Sequence, residues 1–147
     1  MKQIILENEF PVSVETLFNF HRETANLSKI TPPWIGVEIL NQIPITKEGD
    51  LIELKISQYG ISQVWRVEIE EMKEPNLIID FAQKSPFKLF RHRREFRKSE
   101  NGSILKDIVS LQMPFLLRPA EFFAKRETEK MFQWRHKKLA EIFGESK

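Results

Sequence analysis

The placement of turn-forming residues constrains this fold more than any other feature. Residues 36–113 read as strands separated by turns, with breaks at 47–50, 59–62, 73–76, 84–86 and 100–102. That makes six strands, and connections so short favour consecutive antiparallel hairpins, a meander with one face free to bury something. Ahead of them, KQIILENEF is a further strand ended by Pro11. The period then changes. Ser13 caps a helix in which Val14, Leu17, Phe18 and His21 recur at helical spacing, with Thr16 where a full capping box has Glu. TANLSKIT adds a second short helical turn, and TPPW stops it, because each proline pushes the residue before it toward extended geometry. Beyond Pro119 the pattern is helical to the end, with Phe132, Leu139 and Phe143 on one stripe and Thr128 or Lys125 further up. A long helix needs a partner for such a stripe, and the free face of the meander is the large surface available.

No repeat, low-complexity tract or Gly/Ser linker interrupts this plan, so residues 1–147 are expected to form a single domain. The chain has 41% hydrophobic and 30% charged residues, which excludes disordered and fibrous classes. With no cysteine there is no disulfide, thiolate nucleophile or Cys metal site. The opening apolar run of MKQIILENEF is too short for a signal peptide, and no run reaches the length of a membrane span. The expectation is a cytoplasmic protein without stable membrane insertion and without a cofactor. Oligomeric state is left open.

The run FKLFRHRREFRK at 87–98 has seven basic side chains around four large apolar ones. As a strand it puts Phe90, His92, Arg94 and Phe96 on one face and Leu89, Arg91, Arg93 and Glu95 on the other. With Asn101 and Gly102 as the central residues of a tight turn, Phe96 opposes Asp107, Arg94 opposes Val109 and His92 opposes Leu111. The inward face then also carries Leu105, Asp107, Val109, Leu111 and Met113, with Asp107 diagonal to Arg94 and within reach of a charge pair. ISQVWRVEIEEM likewise turns Trp65, Val67 and Ile69 inward. An interior that mixes Trp65, Phe90 and Phe96 with His92, Arg94 and Asp107 is no dry core, since unpartnered buried ions cost several kcal/mol. A cavity holding water or a polar ligand removes the conflict.

FNFHRETANLSKITPPW, SQVWRVEI, SPFKLFRHRREF and ILKDIVSLQMP resemble, in order and spacing, the SRPBCC or START-like ligand-binding proteins, near the bacterial polyketide cyclase-like group, over nearly the whole chain. The resemblance implies an α+β helix-grip (START/Bet v 1-like) fold: a curved seven-stranded antiparallel sheet wrapped on a long C-terminal helix, with two short helices after strand 1. It also implies cavity positions at Trp65, His92, Arg94 and Asp107, and at Phe132, Arg135 and Leu139 on the long helix. Ser85 stands where many relatives have Gly, and Leu111 where an aromatic is common. The family contains lipid and hormone carriers, cyclases and dehydratases, so membership leaves the function open.

The leading reading is binding of a small hydrophobic or amphipathic ligand between sheet and helix. Trp65, Phe90, Phe96, Leu105, Val109 and Phe132 supply apolar walls, and His92, Arg94 and Asp107 orient the polar end, with Arg135 beside them. Trp34 is either a lid at the mouth or a plug for the small helices. The alternative is a cyclase or dehydratase using the same cavity, with His92 or Asp107 as acid or base. A third possibility is a helper module that works through its surface. His21, His92 and His136 show no metal-ligand spacing. A net charge of +2 gives no field for nucleic acid, and the charges of the last helix read as a solvated face with pairs such as Glu121 and Lys125.

Overall fold

The computed structural model describes residues 1–144. Strand β1 (Lys2–Phe10) is followed by helix α1 (Val14–Arg22), two 3₁₀ turns (Thr24–Asn26 and Ser28–Ile30) and the short strand β2 (Gly36–Ile39). Then come β3 (Leu51–Gln58), β4 (Ile61–Lys73), β5 (Leu77–Lys84), β6 (Leu89–Ser99) and β7 (Gly102–Gln112). A 3₁₀ segment (Phe115–Ala120) leads into helix α2 (Glu121–Phe143). All seven strands form one antiparallel sheet in the order β1-β7-β6-β5-β4-β3-β2. This is the helix-grip arrangement expected from the sequence.

Local chemistry accounts for the element ends. The Ser13 hydroxyl accepts the Thr16 N–H at 3.1 Å, the cap of α1. The second helical turn expected after α1 is two 3₁₀ turns, with Asn26 donating to the Phe20 carbonyl and Glu23. In β4 the pairing to β5 shifts between Arg66 and Val67 and again between Ile69 and Glu71. Such bulges bend and twist a strand, which lets this 13-residue strand curve with the sheet.

The β6–β7 hairpin corrects the expected register. Ser99 pairs with Gly102, so the turn residues are Glu100 and Asn101, and Phe96 faces Leu105 while Arg94 faces Asp107. Gly102 opens β7, and a Cβ there would sit 2.1 Å from the Phe10 carbonyl oxygen, so no side chain fits at this position. Each partner moves by two places, an even shift, so the face assignment survives. His92, Arg94 and Phe96 of β6 are buried on the same side as Leu105, Asp107, Val109 and Leu111 of β7.

Helix α1 packs on β6 and β7, and α2 packs along β1. Phe18 of α1 meets Phe96 edge to face at 5.3 Å, inside a core that also holds Leu17, Leu105 and Leu139. Phe132 of α2 closes a second core over Ile4, Val109 and Leu111. The helices therefore fill the β1-β7-β6 side of the sheet. The inner faces of β3, β4 and β5 remain free, and the cavity lies there.

Candidate functional site

The cavity has a volume of about 520 Å³. Its body is apolar. Ile52, Leu54 and Ile56 of β3 line it, as do Trp65, Val67 and Ile69 of β4, alternate residues that the pleat points inward. At one end Trp65, Phe87 and Phe90 pack mutually, with ring centroids 5.2 to 5.8 Å apart. Met131 and Phe132 of α2 complete the wall.

Among the polar side chains of the lining are His21 of α1, Asp80 of β5, His92 and Arg94 of β6, and Arg135 of α2. Arg94 donates to Asp80 Oδ2 at 2.5 Å across the β5–β6 pair. His92 Nε2–H donates to Asp107 Oδ1 at 2.5 Å, and His136 Nε2–H donates to Asp107 Oδ2. The other His136 nitrogen, Nδ1, accepts from the Asn8 amide at 2.8 Å. His92 Nδ1 lies 3.9 Å from Asp80, too far for a hydrogen bond. Arg135 donates to the Ile30 carbonyl and stacks on Phe132, 4.9 Å from the ring centroid.

Burial sets the protonation of these groups. It pushes His21 down to about 3, helped by the Arg94 charge, so the ring is neutral. Its Nδ1–H donates to the Leu17 carbonyl at 2.9 Å, which leaves Nε2 as a lone pair. Burial also lowers His92, against the pull of Asp107. For Asp107 burial acts to raise the pKa, but the two histidines together hold it well below the usual carboxylate range. Arg135 is lowered by burial to about 10 and keeps its charge near neutral pH. Three buried atoms of cavity residues have no hydrogen-bond partner among the described residues: His21 Nε2, Asp80 Oδ1 and Arg94 Nε.

Tyr59 and Ile61 at the β3–β4 turn and Phe123 of α2 both line the cavity and are exposed, which marks its mouth. Tyr59 and Gly60 both have positive φ, 54° and 74°, the backbone of a tight hairpin turn. From that turn the Tyr59 hydroxyl donates to Glu127 Oε1 of α2 at 2.6 Å.

Of the residues singled out in the sequence, Trp65, Phe90, His92, Arg94, Phe132 and Arg135 line the cavity. Six do not. Phe96 and Leu105 are sealed beneath α1, Leu139 is packed into the same core, and Val109 is covered by Phe132. Asp107 stands behind His92 and is paired with two histidines; Arg94 turns to Asp80 because both Asp107 oxygens are taken. Trp34 lies outside, 6.3 Å from the Trp134 ring, with Lys130 over its face, so it is not a wall of the cavity. Glu121 is no solvated partner of Lys125: it is buried and accepts the Met113 N–H.

Sequence reasoning misses Asp80, although a lone acid after the apolar run Leu77, Ile78 and Ile79 is the available signal. It also misses His136 as a structural partner, although 132, 136, 139 and 143 share one helical stripe. Among the described residues no group of three or more His, Cys, Asp or Glu is placed to hold a metal ion. No helix among them is long and apolar enough to cross a membrane.

The fold recurs in solved structures of low sequence identity. Protein Ms6760 from Mycobacterium smegmatis superposes with a TM-score of 0.75 at 10% identity, over 99% of this chain and 92% of that one. TTHA0849 from Thermus thermophilus gives 0.73 at 14%, over 95% of each chain, and CV1439 from Chromobacterium violaceum gives 0.72 at 12%, over 99% of this chain and 100% of that one. These likenesses establish the fold alone. No curated protein matches the sequence. The family described as polyketide cyclase / dehydrase and lipid transport matches residues 10–135. With most of its length covered by that match, the chain belongs to this family, within the SRPBCC group.

Proposed function

We propose that the protein binds a small, largely apolar molecule bearing hydroxyl groups, with its body between β3, β4 and α2 and its hydroxylated end among His21, Asp80, His92 and Arg94. The observation that carries this reading is the set of three unpartnered buried atoms in those residues. Buried polar groups are normally hydrogen-bonded, and leaving one unmet costs about 1–3 kcal/mol. His21 Nε2 and Asp80 Oδ1 are acceptors, and His92 Nδ1 adds a third, so they call for a donor. Arg94 Nε is a donor and calls for an oxygen. A hydroxyl group serves both. A carboxylate suits the site less well, because Asp80 already neutralises Arg94 and would repel a second acid.

The test is calorimetric titration with matched naphthalenes bearing a hydroxyl, a carboxylate or no polar group. The hydroxylated compound is expected to bind most tightly, and Asp80→Leu to erase its advantage over the unsubstituted ring. Equal affinity for all three sinks the reading. Native mass spectrometry of freshly purified protein offers a direct check for a retained small molecule.

One observation favours an enzymatic version of the same reading. His92 is locked by Asp107 with its Nε2 protonated, which presents the Nδ1 lone pair on the cavity side as a base. This version places the base at His92 and gives Asp107 an orienting role. Turnover lost in His92→Gln with binding retained, and a pH profile that moves in Asp107→Asn, are its expected marks. Binding without turnover in the wild-type protein leaves the carrier reading alone.

A further inference from the structure

The rim of the cavity is unusually greasy on its outer side. Phe115, Leu116, Leu117, Phe122 and Phe123 are all exposed, Phe115 and Leu116 by 80% and 87%. Scattered exposed leucines need no explanation, but five large apolar side chains within residues 115–123 form a patch of the kind that marks a binding surface. The backbone keeps them outward. Pro119 lies inside the 3₁₀ segment (Phe115–Ala120), which has no buried residue, so the segment contributes nothing to the core.

Two further observations say what covers this patch. Tyr59 and Ile61, 70% and 63% exposed, stand at the β3–β4 turn, tied to α2 by the bond from Tyr59 to Glu127. Tyr59, Ile61, Ala120 and Phe123 also line the cavity, so the outer apolar surface continues into its mouth. The patch is also flanked by cations. Lys125 and Arg126 are in no ion pair among the described residues, and Arg118 has only a distant one, 3.9 Å from Glu121. Of the acids in this stretch, Glu121 is buried against the Met113 N–H and Glu127 accepts from the Tyr59 hydroxyl.

From the exposed rings, the flanking cations and the open mouth, we propose that this rim docks on an anionic lipid bilayer. Phe115, Leu116 and Phe122 enter the boundary between headgroups and acyl chains, while Arg118, Lys125 and Arg126 meet the lipid phosphates. This is the division of labour of an interfacial amphipathic segment, with apolar area and cations both contributing. A second copy of the chain is a poorer occupant, since a two-fold interface through this patch brings the same cations face to face. The proposal goes beyond cavity binding and is read without any cavity ligand.

The experiment is co-sedimentation with phosphatidylcholine vesicles, with and without roughly a third phosphatidylglycerol, at low and high salt. The wild-type protein is expected to sediment with the anionic vesicles and to be released by salt. Leu116→Ser/Phe122→Ser, at exposed positions, is expected to fold normally by circular dichroism and to bind on the order of tenfold more weakly. Lys125→Gln/Arg126→Gln is expected to lose the preference for anionic lipid. The proposal is overturned by wild-type protein that stays in the supernatant, by undiminished binding in the Leu116→Ser/Phe122→Ser variant, or by equal binding to both vesicle types. Sedimentation equilibrium supplies a further arm: a wild-type dimer that this variant splits assigns the patch to a second copy and overturns it as well.

Discussion

Asp107 in β7 and His136 in α2 meet at 2.5 Å, while the other Asp107 oxygen holds His92 of β6. One carboxylate thus fixes the long helix to the sheet and also sets the tautomer of the imidazole that faces the cavity. Removing it leaves two buried imidazoles without their acceptor. Asp107→Ala is expected to cost about 3–5 kcal/mol in urea unfolding. Asp107→Asn, whose amide oxygen still accepts one bond, should lose less. A loss below about 1 kcal/mol for the alanine variant would mean that the helix is held by apolar packing alone.

Arg94 and Asp80 are a second, partly buried pair, and each also carries an unpartnered atom. Arg94→Met strands the Asp80 carboxylate and should destabilise by about 3 kcal/mol or more, whereas Arg94→Met/Asp80→Leu should recover most of that, since an apolar pair often replaces a buried ion pair at little cost. The same double variant should lose the preference for hydroxylated ligands. Unfolding curves and titrations on the three proteins decide both points.

His21 gives the fold a specific sensitivity to acid. Its pKa is about 3 when folded and near 6.5 in the unfolded chain, so between those values the unfolded state binds a proton that the folded state does not. The contribution is therefore complete above about pH 6.5, declines as pH falls toward 3 and is flat below. The slope from this one group approaches roughly 1.4 kcal/mol per pH unit. His21→Gln should flatten the decline measured by unfolding at pH 7, 5 and 4. The share due to His92, also lowered by burial, persists in that window, and the share due to Asp107 sets in as pH falls into the ordinary carboxylate range and continues below it. An unchanged slope in His21→Gln would show that this ring is not neutral in the fold.

Tyr59 holds the mouth with an exposed hydrogen bond to Glu127. Tyr59→Phe should leave the urea midpoint essentially unchanged, because exposed groups contribute little to folding. It should nevertheless speed release of a bound fluorescent naphthalene by up to about fivefold, the effect of losing one such bond during opening. Stopped-flow displacement measures this rate. No change would place the route of exit elsewhere.

Gly102 is held by a close approach. A Cβ would meet the Phe10 carbonyl oxygen at 2.1 Å, and the residue's φ is +155°. Gly102→Ala must push β1 away from the hairpin, and a loss of at least about 2 kcal/mol in urea is expected.

The strand count was legible from the turn-forming residues, and the inward faces from a period of two, which the even register shift of the β6–β7 hairpin did not disturb. The register itself was not legible. It turned on whether Gly102 sits in the turn or in the strand, where its backbone lies close against Phe10 from far earlier in the chain. Similarly, Phe96, Leu105 and Val109 face the interior as expected, but which part of the interior is filled depends on where the helices lie. The sheet face and the cavity are not the same surface. Arg94 and Asp107 even stand directly opposite, and still the ion pair forms with Asp80, because two histidines from different elements claim Asp107 first.

The pairing of β1 with β7 has a consequence for biosynthesis. Lys2 lies beside Leu111, so the strand synthesised before the rest of the sheet must wait for the strand synthesised after the rest before its edge is matched. Until then the middle strands can zip as local hairpins, while β1 and the open flank of the meander stay adhesive. Folding of this chain should accordingly be slow for its size and most vulnerable to aggregation late in translation, when the meander exists and α2 has yet to emerge.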